Sequence, residues 1–320
     1  MKHLRKKCIF GISLFVFLVS ILSVLFLHGV NRGSEEKIIR FTPDDTMRTL
    51  ETKIQAMREE IKQNGDTFEV GINPAMQYPL EQLCTFNPEL KPDDYFLYES
   101  NEQEGLCSEM ALPSAYTGPY TPIKDAGYCA TSWAFATVGV LEHIVKKKHG
   151  ITVDLSEQYL LDCNTSGYSC SGGYFCHYMH MSPNGSRFES CYPYMAVKGT
   201  CWSSYCPYAY RISSWAYVGT SSTVPTVSAI KQKIYDYGSV AAGVYVDTYF
   251  QAYTTGCFSR NATGSANHCI MLIGWDDTKC KTGAWRLKND WGTGWGESGF
   301  MWIKYGVQQV GYAANYVVYP

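Results

Sequence analysis

The sequence predicts an α+β fold in which helices come first and strands second. Three observations carry this reading. A helix-spaced apolar stripe lies ahead of the main body, a second apolar helix opens that body, and the C-terminal third breaks into short alternating or β-branched runs. With 320 residues the chain has room for one large domain or two modest ones. Its formal charge of -2 and pI near 6.4 lack the basic excess of a nucleic-acid binder, so no nucleic-acid partner is expected. Aromatics reach 15%, with 25 tyrosines, which is a globular composition.

The elements follow in order. Residues 1–7 form a basic stub with Lys2, Arg5, Lys6 and Lys7. An uncharged run from Cys8 to Leu27 follows. At 1.5 Å per residue it is about long enough to cross a ~30 Å hydrocarbon core. Residues 8–30 are therefore predicted to be a single-pass signal anchor. The basic stub keeps the N-terminus cytoplasmic and puts the rest in a lumen or outside the cell. Leu25 to Val30 is a poor cleavage context, and secretion is the alternative if cleavage does occur. All thirteen cysteines except Cys8 lie beyond this segment, which suits an oxidising compartment. Sequons at Asn164, Asn184 and Asn261 lie on the same side as candidate glycosylation sites.

Residues 31–110 hold one helix, with Asp44 or Asp45 as its expected cap. Met47, Leu50, Ile54, Met57 and Ile61 form its stripe, and Asn64-Gly65 ends it. A helix with one apolar stripe must dock on something. Cys84 and Cys107 are a candidate pair across the following loop. From residue 111 the texture changes. Trp133 to Val145 reads as a buried helix stopped by Lys146-Lys147-Lys148-His149-Gly150, whose charges suit a helix C-terminus. Val240–Val246, Cys269–Trp275, Ala284–Lys288, Phe300–Tyr305 and Ala313–Tyr319 read as strands.

Several motifs lie on this frame in a fixed order. They are Leu112-Pro113 with Thr121 to Asp125, then Gly127-Tyr128-Cys129-Ala130-Thr131-Ser132-Trp133-Ala134-Phe135-Ala136. Leu155-Ser156-Glu157-Gln158 with Leu161-Asp162-Cys163 follows, then Cys170-Ser171-Gly172-Gly173 and Tyr192-Pro193-Tyr194. Asn267-His268 opens a strand, and Trp285 to Phe300 contains Asn289-Asp290-Trp291-Gly292. By their order and spacing residues 112–320 resemble the papain-like cysteine peptidases along nearly their whole length. The resemblance implies a two-lobed fold, with a helical left lobe, a β-barrel-like right lobe and a cleft between them. It makes His268 the catalytic base, Asn289 its orienter and Trp291 the shield over that pair. Gly172 and Gly173 become the strip that pairs with extended substrate, with Tyr174, Phe175 and Cys269 near the adjoining pocket. It also implies disulfides Cys129–Cys170 and Cys163–Cys201, with Cys257–Cys280 as a local substitute for a third. Cys176, Cys191 and Cys206 pair among themselves or stay partly free. Residues 31–110 resemble a shortened inhibitory propeptide.

The chain departs from this pattern at the reacting atom. A thiol at a helix N-terminus beside imidazole ionises readily, because the helix dipole and the imidazolium both favour thiolate. Here position 132 is serine, whose hydroxyl does not form that ion pair. The oxyanion glutamine is replaced by Ala126, and removing one such donor costs about 10²–10³ in rate. Serine hydrolases place a carboxylate behind the histidine, and Asn289 carries no charge. The expectation is a peptidase homologue with lost or strongly impaired turnover, whose cleft binds extended peptides or protein protease inhibitors. The alternative is a weak serine-dependent endopeptidase using Ser132, His268 and Asn289. No cofactor is expected; Cys176, His177 and His180 have ligand-like spacing, but no fourth ligand is specified.

Overall fold

The computed structural model describes residues 39–91 and 111–320. The stub, the proposed anchor at 8–30, the 110/111 boundary and Cys107 lie outside the described residues. Among the described residues no helix is long and apolar enough to cross a membrane.

Helix α1 (Met47–Asn64) ends at Gly65, whose φ of 70° is the left-handed conformation that glycine adopts without penalty. Its cap is Thr46, not Asp44 or Asp45. Thr46 Oγ1 accepts from the Thr49 amide, while Asp45 is engaged one turn earlier by the Thr42 amide and by Lys53. Strand β1 (Glu69–Val70), a 3-10 turn (Pro74–Gln77) and α2 (Leu80–Leu83) follow, then β2 (Ala115–Thr117) beyond the undescribed stretch. Next come α3 (Ser132–His149) and α4 (Glu157–Cys163), and after a long irregular run β3 (Ser214–Tyr217), α5 (Val227–Tyr237) and β4 (Val240–Val244). Helix α6 (Thr248–Ala252) leads into β5 (Tyr253–Thr255) and β6 (Cys257–Phe258). The chain closes with β7 (His268–Asp276), β8 (Ala284–Lys288), β9 (Phe300–Lys304) and β10 (Tyr312–Val318).

The strands form one mixed sheet in the order β3-β10-β4-β7-β8-β9-β6, with β2 beside β7, and a separate pair β1-β5. Strand β7 is the hinge of the architecture. Its first half pairs with β4 (Val244↔His268 through Val240↔Leu272), and its last three residues pair with β2. Side chains alternate along a strand, and here both faces are buried, so the strand reads as one apolar run. Ile270 and Leu272 enter a core with Val240, Ala242, Trp291 and Trp295 and with Ile54, Met57 and Ile61 of α1, while Met47 at the start of the predicted stripe is exposed. Cys269, Met271 and Ile273 enter another core with Ala241, Trp133, Leu141 and Tyr174. Neighbouring residues of β7 therefore serve different lobes.

Helix α3 is buried along Ser132–Val145 and emerges only at its lysines. It lies close on β7 because position 139 is glycine, where a Cβ would sit 2.3 Å from Met271 Sδ. Below it Lys124 binds Glu142 at 2.9 Å and Glu157 at 2.8 Å, tying the start of the domain to α3 and α4. Burial opposes the Lys124 charge, but Glu157 and Glu142 outweigh it and hold the ammonium well above its ordinary pKa. Disulfides join Cys129–Cys170, Cys163–Cys201 and Cys257–Cys280, and of the three undecided cysteines Cys191 pairs with Cys206. Among the described residues Cys176, Cys84 and Cys269 have no disulfide partner.

Candidate functional site

The site lies where α3 starts, β7 starts and the turn after β8 passes between them. Ser132 is the first residue of α3, and its Oγ accepts a hydrogen bond from the Cys269 amide at 3.2 Å. The residue before Cys269 is His268, the first residue of β7. The first amides of any helix lack intrahelical partners, so the Ser132 N–H is a natural oxyanion donor. His268 is fully buried; its Nε2–H donates to Asn289 Oδ1 at 2.8 Å, and its Nδ1 has no partner. Trp291 covers this pair with its ring centroid 4.9 Å from that of His268. Ala126 is buried next to them, and its amide donates to the Asp290 carbonyl at 2.8 Å. Its methyl group supplies no donor.

Asp290 is a site residue that motif reading passes over. It is 4% exposed, and its Oδ1 lies 3.4 Å from His268 Nε2. Asn289 carries no charge, but the next residue in the chain brings a carboxyl group to the same ring nitrogen. The signal was an acid inside an otherwise matching motif, but a turn has no periodicity from which burial could be read.

The cleft is occupied by the chain's own segment. Phe86 pairs in parallel with Gly173. Its amide donates to the Asn267 carbonyl at 2.9 Å, and the Asn87 amide donates to the Gly173 carbonyl at 3.2 Å. Gly173 must be glycine for the strip to lie against α3, since a Cβ would meet the Trp133 ring at 2.6 Å. The Phe86 ring packs on Tyr174 and Phe175 at 5.2 and 5.3 Å, and lies against Gly243. Cys269 belongs to the same apolar cluster; burial first, then the Asp290 charge, push its thiol well up, so it stays protonated. Gly172 stands at the rim with φ 151°, and a Cβ there would be 3.3 Å from the Thr85 carbonyl. Thr85 Oγ1 in turn donates to the Ala130 carbonyl at 2.6 Å.

The remaining candidates separate. Asn164 caps α4, and its Nδ2 donates to the carbonyls of Leu160, Leu161 and Tyr168, so this sequon's amide is committed inside the fold. Asn184 and Asn261 are exposed. Cys176, His177 and His180 do not converge: among the described residues no group of three or more His, Cys, Asp or Glu could hold a metal ion. His177 bonds Asn315 at 2.6 Å instead.

Comparison with known proteins agrees with this geometry. The profile of the papain family cysteine protease matches residues 114–320. Ananain of Ananas comosus is 34% identical over 280 residues, covering 85% of this chain and 77% of ananain. Fruit bromelain of the same plant is 34% identical over 192 residues, covering 59% of this chain; the match spans about half of that relative, 53%. Digestive procathepsin L2 from Tenebrio molitor larval midgut superposes with a TM-score of 0.72 at 25% identity, covering 85% of this chain and 90% of that one. The bromelain protease from Ananas comosus, solved with the E64 inhibitor, gives 0.60 at 29% identity over 65% of this chain and 100% of its own.

Proposed function

The chain belongs to the papain family of cysteine proteases, and from that premise we propose that it is a peptide-binding member whose peptidase turnover is lost or strongly impaired. The observation that carries this is the hydroxyl of Ser132 at the α3 N-terminus, the place where thiol chemistry needs a thiolate. Ala126 adds a second deficit on the same transition state, because the developing oxyanion has one donor fewer. Recognition does not need the nucleophile. The backbone strip at Gly173 and the aromatic pocket of Tyr174 and Phe175 already hold an extended segment, the chain's own Thr85–Asn87. Extended peptides or a protein protease inhibitor are the ligands this cleft suits.

One observation favours a second reading, a weak serine-dependent endopeptidase using Ser132, His268 and Asn289. The buried carboxylate of Asp290 beside His268 is the element that serine nucleophiles use and that Asn289 lacks.

The deciding experiment follows a fluorogenic peptide pool with wild type, Ser132→Cys and His268→Ala. All three are also made with Phe86→Ala, so that the cleft is open. No turnover by folded wild type, with activity appearing in Ser132→Cys, is the expected result. Wild-type turnover that His268→Ala abolishes would establish the serine reading and overturn the first.

A further inference from the structure

The Asp290 carboxylate is buried, and neither of its oxygens accepts a hydrogen bond among the described residues. A carboxyl group so placed needs a cation or donors nearby to offset its burial. Among the described residues its ion-pair partner is His268, at 3.4 Å from Oδ1 to Nε2. The same nitrogen donates to Asn289 Oδ1 at 2.8 Å, while Nδ1 is left without a partner. Two acceptors from consecutive residues thus converge on one ring nitrogen.

We infer that Asp290 is a positioning residue for His268. With Asn289 it holds the ring proton on Nε2, leaves Nδ1 as the basic nitrogen, and stabilises the imidazolium that forms when Nδ1 takes a proton from Ser132. For turnover, this rests on the serine reading of the site. In that step the Ser132 Oγ–H proton passes to Nδ1 as Oγ bonds to the carbonyl carbon. The C–N bond then breaks, the departing nitrogen takes the proton from Nδ1, and an ester remains on Ser132. Water cleaves the ester, giving its proton to Nδ1 and returning it to Oγ. No proton passes to Asp290 in any of these steps.

The other titratable groups that feel this carboxylate come from four sides of the site. They are Cys84 on the N-terminal segment, Cys269 on β7, Tyr194 from the left lobe and Lys288 on β8. Burial leads in every case. It pushes Cys84, Cys269 and Tyr194 up, each with help from Asp290, and pushes Lys288 down against the pull of Asp290. None of the first three carries a positive charge, and Lys288 makes no ion pair with Asp290 among the described residues, so the imidazole is the group this carboxylate organises.

The test needs no turnover, which separates its failure from failure of the serine reading. The full chain is labelled with ¹⁵N in its seven histidine rings. The His268 signals are assigned by their loss in His268→Ala. Wild type is expected to show the proton on Nε2, far downfield and slow to exchange. In Asp290→Asn that resonance is expected to move upfield and exchange faster, with the tautomer kept by Asn289. Asp290→Ser serves the same purpose if the asparagine variant does not fold. A wild-type ring protonated on Nδ1 would overturn the inference without any variant. An Nε2–H signal unmoved by the loss of the carboxylate would overturn it too.

Discussion

Three side chains around one transition state decide what this cleft can do. Ser132 replaces an ionisable thiol with a hydroxyl, Ala126 removes a donor, and Asp290 adds a charge behind the base. The first two changes raise the barrier for acyl transfer, and the third lowers it only if the serine can lose its proton to Nδ1. Binding is decided elsewhere, by Phe86. Its ring fills the pocket of Tyr174 and Phe175 at 4% exposure. Truncating a buried Phe costs about 3–5 kcal/mol, and here the loss falls on the docking of one segment rather than on a lobe. Phe86→Ala is therefore expected to leave the two lobes folded and to tighten added peptide by one to several orders of magnitude, about tenfold per 1.4 kcal/mol released. Isothermal titration against an extended aromatic peptide reads this directly. Equal affinities in both proteins, or none at high micromolar peptide, would remove the cleft from consideration as a receptor. The positions of Ser132, His268 and Asn289 were legible in the sequence because they fall inside ordered motifs that resemble a known family. Asp290 was not, because nothing in a turn tells a buried acid from a solvated one.

Elements were legible to the extent that their signal was periodic. The strand predicted over Ala284–Lys288 is β8, and the predicted stop at Gly150 ends α3. Strand β7 runs one residue further at each end than its predicted core, since His268 and Asp276 are polar and its pairing with β4 and β2 is what includes them. The cap of α1 is Thr46, and Asp45 serves the Thr42 amide and Lys53 instead. Least legible was the irregular stretch between α4 and β3, which has no periodicity and relies on cross-links. There Cys191–Cys206 closes a separation of 15 residues, and the stacked pair Tyr192–Trp202 packs inside it at 4.1 Å. A loop of that size gives about 3 kcal/mol by chain entropy. Replacing both cysteines by alanine is expected to lower unfolding stability by about that amount. Urea unfolding with the other three bridges intact checks it. A loss well under 1 kcal/mol would mean that packing alone orders this stretch.

At the scale of the molecule, two cores share one sheet, and the N-terminal segment enters both, α1 packing into one and Phe86 into the other. Phe41, Ile54, Met57, Ile61 and Phe68 are core residues together with Phe250, Phe258 and Trp295. Arg260 ties α1 to this lobe through Glu60 at 2.8 Å and Asp247 at 3.0 Å. Beside the other core lie the buried imidazoles of His177 and His180, which add to the sensitivity of the fold to acid. Burial pushes His177 down to about 4, partly opposed by its bond to Asn315. Burial, aided by His177, pushes His180 down to about 3. An unfolded chain protonates both rings near pH 6.5. Between that pH and the folded values the unfolded state binds more protons, so stability rises with pH and is lost on acidification. Each ring contributes about 1.4 kcal/mol per pH unit across its window. Glu157 acts in the opposite sense: burial and Glu142 raise its carboxyl against the pull of Lys124, so it favours the folded state as pH falls. The difference between proteins is therefore the clean quantity. His180→Phe keeps an aromatic body in the core and removes one titrating ring. Its stability relative to wild type, from urea unfolding at pH 7, 5.5 and 4.5, is expected to improve steadily with acidity. Parallel curves for the two proteins would mean that the ring already finds a proton partner in the folded core.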